Sequence, residues 1–152
     1  GRVICMNYED LMQWKGYLFL DNIVEPGTNS LRVSISRASV SSESEDISFE
    51  ENTINDVYPI EIDKTLPVIH IEFDSYVAYT VFDESFHFVN QEDDFLGNSV
   101  RLFTKSTYLD FISKGTIALD IYSYKELFHY QIVCLDHIID IVSFDKPTII
   151  SE

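Results

Sequence analysis

The feature that most constrains the fold is the alternation of apolar and polar residues along segment 66–86, LPVIHIEFDSYVAYTVFDESF. Ile69, Ile71 and Phe73 recur at every second position, which is the period of a β-strand with one buried face. Asp74-Ser75 supplies turn-forming residues, and apolar residues resume the same period from Val77. The pattern predicts an antiparallel hairpin with its turn at residues 74–75.

Further strands are predicted where short β-branched and aromatic runs end at turn residues. They cover residues 15–21, 31–36 and 100–105. Segment 127–147, LFHYQIVCLDHIIDIVSFDKP, predicts a second hairpin with its turn at Asp136-His137 and its second strand closed by Pro147.

One helix is predicted over residues 106–115, because Ser106 can cap its N-terminus and Gly115 can end it. A shorter helix within 7–16 would begin at Asn7 and stop at Gly16. The fold class is therefore α+β, a mainly antiparallel β-sheet with hairpins packed by one or two α-helices. With 152 residues and no linker-like stretch, residues 1–152 are predicted to form a single domain.

The formal net charge of −16 is concentrated in the middle of the chain. Residues 38–100 carry fifteen acidic residues against one basic residue, Lys64, so this segment accounts for −14. It opens on SSESEDISFEEN (41–52), which predicts a flexible acidic Ser-rich loop near residues 38–52. Such an imbalance repels itself in the folded state, which suggests that the charge is used.

The charge also narrows the classes of partner. Phosphate recognition needs clustered Lys and Arg, and the ten basic residues are scattered, so no nucleic acid is expected as a direct partner. No membrane is expected as a partner, because an anionic membrane surface is excluded for the same reason. No apolar run reaches the roughly 18 residues that cross a bilayer, and the opening GRVICMNYED has no apolar core of a secretory signal. Cys5 and Cys134 are too few for a disulfide framework, which favours a reduced, cytoplasmic protein.

No motif predicts catalysis, a metal or a cofactor. The four histidines form no metal-binding pair, and the nearest cluster, His137 with Asp136 and Asp140, is explained by a hairpin turn. QEDDFLGN (91–98) lacks a ligand at the fifth position of a calcium loop. G-x-S-x-G and Gly-rich phosphate loops are absent, and Cys134 has apolar neighbours that should raise its pKa. We predict no catalytic residues, no metal site, no cofactor and no enzymatic activity.

Aromatic residues among the acids are the remaining candidates for a site. Tyr and Phe anchors surrounded by carboxylates are what a binding patch for a basic protein would contain. The predicted partner-binding residues are Glu43, Glu45, Asp46, Glu50, Glu51, Tyr58, Asp83, Glu84, Glu92, Asp93, Asp94 and Phe95.

Three stretches, PVIHIEFDSYVAYTVFDESF, RLFTKSTYLDFI and FHYQIVCLDHIIDIVSFDKP, resemble small acidic bacterial immunity proteins of polymorphic and contact-dependent growth-inhibition toxin systems. The resemblance runs over roughly the C-terminal two-thirds of the chain and involves no short defining motif, so it transfers no residue roles. It implies a cytoplasmic inhibitor that binds the C-terminal toxin domain of a large secreted protein and performs no chemistry. Many such toxins are nucleases with basic clefts, which an acidic surface would complement.

Two alternatives stay open at this point. An acidic interaction module or subunit could pair through a sheet edge, with its acids serving solubility. A small hydrolase could use a carboxylate pair, although 26 acidic residues make some close pair inevitable.

Overall fold

The computed structural model describes residues 6–152 and contains two antiparallel β-sheets of five strands each, with three short helices. Sheet 1 consists of β1 (Tyr17–Val24), β2 (Leu31–Val40), β5 (Ile60–Ile62), β6 (Ile69–Phe73) and β12 (Thr148–Ser151). Sheet 2 consists of β7 (Ala78–Asp83), β8 (Asp94–Gly97), β9 (Val100–Lys105), β10 (Phe128–Val133) and β11 (His137–Ser143). A separate ribbon consists of β3 (Glu45–Phe49) and β4 (Asn52–Val57). The helices are α1 (Tyr8–Leu11), α2 (Thr107–Gly115) and α3 (Ala118–Ile121).

The predicted α+β class is confirmed. In sheet 1 the strand order is β1-β2-β6-β12, with β5 paired to the far end of β2, and in sheet 2 it is β7-β11-β10-β9-β8. Within the part of the chain that the structure describes, no helix has the length and hydrophobicity to cross a membrane.

The main core lies between the two sheets. Ile35 and Ile71 of sheet 1 belong to the same buried cluster as Ile132, Ile139 and Ile141 of sheet 2, and all five are fully buried. Each such side chain contributes about 1.5–3 kcal/mol through removal of apolar surface from water. Alternation at every second residue places one face of each strand in this core and turns the other face outward.

The outer face of sheet 2 is covered by α2 and by the segment 84–93. The buried residues Ile112, Leu127 and Val142 form a second, smaller core there. Segment 84–93 leaves the end of β7 at one edge of the sheet and reaches β8 at the other. The molecule therefore has three layers, and polar residues in the middle strands of sheet 2 are enclosed by the third.

Both predicted helices are present. α2 begins as expected, with Ser106 Oγ accepting a hydrogen bond from Leu109 N at 2.9 Å. α1 is capped by Asn7 in a capping box with Asp10, but it is a single turn and does not extend to Gly16. Gly16 is required for another reason, since a Cβ there would collide with the Trp14 ring and the Ala38 carbonyl oxygen.

The predicted hairpin at residues 66–86 is wrong. Both strands form, but β6 pairs with β2 and β12 in sheet 1, whereas β7 pairs with β11 in sheet 2. Asp74-Ser75 starts a crossover between the sheets, in which Tyr76 N donates to Asn29 O and Val77 N donates to Val142 O. Alternation predicts that a strand has one buried face but does not specify its neighbour, so two consecutive strands can line opposite sides of one core.

The predicted loop near residues 38–52 is also replaced by regular structure. β2 continues to Val40, and residues 45–57 form the β3–β4 ribbon. Ser and acidic residues favour loops in general, but here Ile47 and Ile54 pair across the two strands and support the ribbon.

The C-terminal hairpin is confirmed, with β10 and β11 in antiparallel register and Cys134 N bonded to His137 O at the turn. β11 ends at Ser143, before Pro147, and β12 then returns to sheet 1. Cys134 is buried, and burial raises the pKa of its thiol to about 12, as its apolar neighbours suggested. Cys5 lies outside the described residues.

Candidate protein-binding surfaces

The first candidate surface is the β3–β4 ribbon with the residues that flank it (43–58), here called the acidic ribbon. Among the described strands, β3 and β4 pair only with each other, so this element stands apart from both sheets. Its two central isoleucines are 45% and 56% exposed (Ile47 and Ile54, respectively) and face each other across the strands. The exposed acids of the ribbon are Glu43, Glu45, Asp46, Glu50, Glu51 and Asp56. The ribbon combines an apolar pair with a negatively charged surround.

Within the ribbon the acids meet few donors. Asp56 N donates to Asp46 Oδ1 at 3.2 Å, and Ser44 Oγ donates to Asp56 Oδ1 at 3.4 Å. The sequence places no Lys or Arg between residues 38 and 63. The carboxylates therefore remain largely available to cations outside this segment.

The second candidate surface is the aromatic face, residues 82–93 with Phe111 of α2. Phe86 is 82% exposed, Phe88 is 79% exposed and Phe111 is 67% exposed, and Val89 is exposed beside them. Large apolar side chains grouped in the open are characteristic of interaction sites, whereas single ones are ordinary.

Acidic residues flank the exposed rings of the aromatic face in the sequence. Asp83 and Glu84 precede its most exposed rings, and Glu92 and Asp93 follow them. The 3-10 turn Glu84–Phe86 is held by Asp83, whose Oδ1 accepts from Ser85 N at 2.9 Å. Phe86, the last residue of this turn, remains 82% exposed.

A cavity of about 330 Å³, here called the aromatic pocket, opens beneath the aromatic face. It lies between segment 84–93, α2 and the outer face of sheet 2. Its lining residues are Phe82, His87, Phe88, Asn90, Asp93, Phe103, Thr107, Tyr108, Phe111, His129, Gln131 and Asp140. This lining contains five Phe and Tyr rings and two carboxylates, and no Lys or Arg.

A polar row crosses sheet 2 at the floor of the aromatic pocket, and two of its members, Gln131 and Asp140, line the pocket. The row consists of residues that lie directly opposite one another on neighbouring strands: Thr80 (β7), Asp140 (β11), Gln131 (β10) and Arg101 (β9). Gln131 Nε2 donates to Asp140 Oδ1 at 2.9 Å, and Arg101 Nη1 donates to Gln131 Oε1 at 3.2 Å. Thr80 Oγ1 and the Tyr108 hydroxyl are hydrogen-bonded at 2.7 Å. Strand register alone creates this row from residues distant in sequence.

His129 joins the row to α2. Its Nε2 lies 2.6 Å from Asp140 Oδ1, and its Nδ1 lies 2.6 Å from Ser106 Oγ. Since the Asp140 carboxylate accepts, Nε2 carries a proton, and in neutral imidazole Ser106 then donates to Nδ1. Phe103 stacks on the imidazole with ring centroids 4.2 Å apart. The helix and the sheet are thus tied together through a buried imidazole.

The connectivity of Ser106, His129 and Asp140 is that of a serine nucleophile with its base and orienting acid. Its placement differs from an active site, because Ser106 is buried, caps α2 through Leu109 N and does not line the aromatic pocket. These hydrogen bonds are accounted for by capping and by anchoring α2 to sheet 2. We therefore assign the three residues a structural role.

Arg101 lines a small adjoining cavity of about 60 Å³. Its guanidinium lies 4.0 Å from the centroid of Phe95, and its Nε donates to Asn98 O at 2.6 Å. Burial lowers the pKa of Arg101, and the nearby Asp140 carboxylate opposes that shift. The chain thus already holds one guanidinium between an aromatic ring and polar acceptors.

The predicted partner-binding residues fall on two separate elements. Glu43, Glu45, Asp46, Glu50, Glu51 and Tyr58 are exposed on the acidic ribbon. Asp83, Glu84, Glu92 and Asp93 belong to the aromatic face, and Asp93 also lines the aromatic pocket. Asp94 and Phe95 lie in β8. Asp94 is opposite Lys105 in the β8–β9 register, and the Phe95 ring stacks under the Arg101 guanidinium. One acidic stretch of sequence therefore contributes to two different surfaces.

Several lining residues of the pocket were not among the predicted partner-binding residues: His129, Gln131, Asp140, Phe88, Phe103 and Phe111. A weak signal existed, since His129 and Gln131 alternate with apolar residues in β10, and Asp140 interrupts the apolar run of β11. The hairpin turn that explained Asp136 and His137 is present, and Asp140 lies further along β11, where it bonds His129 and Gln131. Across residues 6–152, no three His, Cys, Asp or Glu side chains converge on a metal site.

In comparisons with known proteins, the chain matches no family model, no curated protein and no solved structure.

Proposed function

We propose that the chain is a binding protein for a basic protein partner, and that it acts as a toxin-neutralising immunity protein. The observation that carries the proposal is the aromatic face, where Phe86 and Phe88 are 82% and 79% exposed between acidic residues on both sides. Aromatic anchors surrounded by polar groups are the usual source of affinity in protein interfaces. The toxin-neutralising role is the member of this class to which the sequence resemblance points.

The net charge of −16 supports a positively charged partner. Long-range attraction between complementary surfaces can raise association rates to about 10⁸–10⁹ M⁻¹s⁻¹ at low salt. Rapid capture suits an inhibitor that must act before its target reaches its substrate. In this arrangement the acids set the encounter rate, and the rings, once desolvated, slow dissociation.

The test begins with capture of partners from the source organism's lysate on the immobilised chain. Wild type is compared with the double variant Phe86→Ala/Phe88→Ala and with a control, Ile117→Ala/Ile121→Ala, which truncates exposed apolar residues on and beside α3. We expect a basic protein that binds wild type and the control, that is lost from the aromatic variant, and that is released by salt.

Neutralisation decides between an inhibitor and a plain adaptor. The captured protein, or its C-terminal domain, is expressed in a heterologous host with and without this chain. Rescue of growth by wild type and by the control, but not by the aromatic variant, supports the proposal. A captured protein that is harmless, or whose binding ignores both salt and the aromatic variant, contradicts it.

A charge variant tests the acidic ribbon separately. Glu45→Gln/Asp46→Asn/Glu51→Gln removes three negative charges from the ribbon, and Asp74→Asn/Asp120→Asn/Glu126→Gln removes three elsewhere on the surface. If the ribbon contacts the partner, the first variant slows association more than the second at low salt, and the difference disappears at high salt. Equal effects would reduce the ribbon's role to its share of the net charge.

A further inference from the structure

The aromatic pocket contains two carboxylates that are not fully used by the protein. Asp140 is buried, and both of its hydrogen bonds, from His129 and Gln131, reach Oδ1. Asp93 is half-buried, and its Oδ1 accepts from both Thr107 N and Thr107 Oγ1 at 2.9 Å. Among residues 6–152, no hydrogen bond reaches Oδ2 of either residue. Each carboxylate thus retains one oxygen for an incoming donor.

The charge of the lining selects the type of ligand. An anion would be repelled by the two carboxylates, and a purely apolar ligand would remove them from water without replacing the lost hydrogen bonds. A cation avoids both costs. It also suits the walls, because Phe82, Phe88, Phe103, Tyr108 and Phe111 present aromatic rings, whose faces attract positive charge.

The planar shape of a guanidinium, and the way Arg101 packs in the adjoining cavity, favour a guanidinium over a compact ammonium as the ligand. A planar guanidinium can stack on a ring while its N–H groups reach two carboxylate oxygens, whereas an ammonium acts as a point charge. The adjoining cavity already shows this mode, with the Arg101 guanidinium 4.0 Å from the Phe95 ring centroid. The Gln131 side chain stands between Arg101 and Asp140, so the resident guanidinium does not fill the aromatic pocket.

We infer that the aromatic pocket accepts the guanidinium of an Arg side chain presented by the protein partner. This rests on the proposed function for the source of the arginine, since the pocket opens beneath the exposed rings of the aromatic face. With a cavity of about 330 Å³, there is room for one such side chain. The arginine is then the anchor whose burial between rings and carboxylates gives the interface its specificity.

The pocket is tested without the partner, by titrating the full chain with small probes and following NMR signals of the His129 ring and of the lining aromatic residues. N-acetyl-arginine amide represents the side chain in a peptide, and N-acetyl-citrulline amide is its neutral near-isostere. We expect the arginine probe to bind about tenfold more tightly, because only it gains the charge-assisted bonds and the cation–π contacts. Equal binding of the two probes overturns the inference.

Variants at neighbouring positions of segment 84–93 show where the arginine probe binds. Phe88 and Asp93 line the pocket, whereas their neighbours Phe86 and Glu92 do not. Phe88→Ala and Asp93→Asn should each weaken the arginine probe about threefold to tenfold, and Phe86→Ala and Glu92→Gln should leave its affinity unchanged. Asn at position 93 keeps an acceptor for Thr107, so the fold is expected to survive. Similar losses in all four variants would place the probe on the surface and contradict the pocket.

Butylguanidine distinguishes a side chain from a free small cation, because it carries one guanidinium, like the arginine probe, but no flanking amides. Tighter binding of butylguanidine than of the arginine probe would overturn the assignment to a protein side chain. Failure of these titrations leaves capture and growth rescue unaffected, and failure of capture leaves the titrations unaffected. The pocket and the proposed function are therefore tested separately.

Discussion

His129 Nε2 and Asp140 Oδ1 lie 2.6 Å apart across the β10–β11 pair, and both side chains are almost completely buried. The contact joins the floor of the aromatic pocket to the cap of α2, since His129 also bonds Ser106. A buried polar network of this kind is stable only while each donor keeps its acceptor.

Removing the Asp140 acceptor should therefore be costly. Asp140→Ala leaves N–H donors of His129 and Gln131 unsatisfied, and we expect the free energy of unfolding to fall by about 2–4 kcal/mol. Asp140→Asn keeps an acceptor oxygen and should lose about 1 kcal/mol. Urea unfolding of both variants measures the difference, and equal losses would show that the acceptor is not the relevant feature.

Loss of the α2 cap should lower the free energy of unfolding by less than loss of the Asp140 acceptor. Ser106→Ala removes both the bond to Leu109 N and the bond to His129, so the free energy of unfolding should fall by about 1–2 kcal/mol. Ser113→Ala, in the same helix, is the control, because Ser113 makes none of these bonds. If urea unfolding gives the same value for both variants, Ser106 is not an effective cap.

Cys134 should react slowly with thiol reagents. Burial, reinforced by the negative charges of Asp21 and Asp136, raises the pKa of its thiol to about 12, so little thiolate forms at pH 8. In a Cys5→Ser background, modification by a disulfide reagent should be much slower in the native state than in urea. Comparable rates in the two states would show that the thiol is accessible.

Stability should decrease at alkaline pH. Burial raises the pKa of Tyr8, Tyr130 and Cys134 above their ordinary values, so the folded state holds these protons more tightly than the unfolded state. Their stabilisation is complete below the unfolded pKa values of about 9–10, and it is lost as pH rises further. Urea unfolding from pH 7 to 11 should show this decline, with a shallower slope between pH 9 and 11 in Cys134→Ala. A free energy of unfolding that stays constant up to pH 11 would contradict the raised pKa values of these buried groups.

The acidic ribbon should be dispensable for folding. β3 and β4 pair only with each other in the described part of the chain, so replacing residues 44–56 by a short Gly-Ser linker removes little of the main core. We expect cooperative unfolding, followed by Trp14 fluorescence, and a free energy within about 1 kcal/mol of wild type. Loss of cooperative unfolding would show that the ribbon supports the two sheets.

The local sequence pattern was sufficient to predict most of the helices and strands, but not which strands pair with each other. The alternation of Ile69, Ile71 and Phe73 predicted β6, and the cap at Ser106 predicted α2, because both depend on neighbours within a few residues. The hairpin at residues 66–86 was wrong because a strand's buried face can be satisfied by either sheet. Position in a sheet depends on contacts far along the chain, which a single segment does not contain.

The sequence by itself determined the α+β class, the position of α2, the β10–β11 hairpin and the excess of acid in residues 38–100. Only the tertiary structure decided that six of these acids lie on the acidic ribbon and four on the aromatic face. It also brought Thr80, Asp140, Gln131 and Arg101 into one row. The physical reason is strand register, since a shift of one residue in any of these four strands would turn its side chain in the row to the opposite face of the sheet.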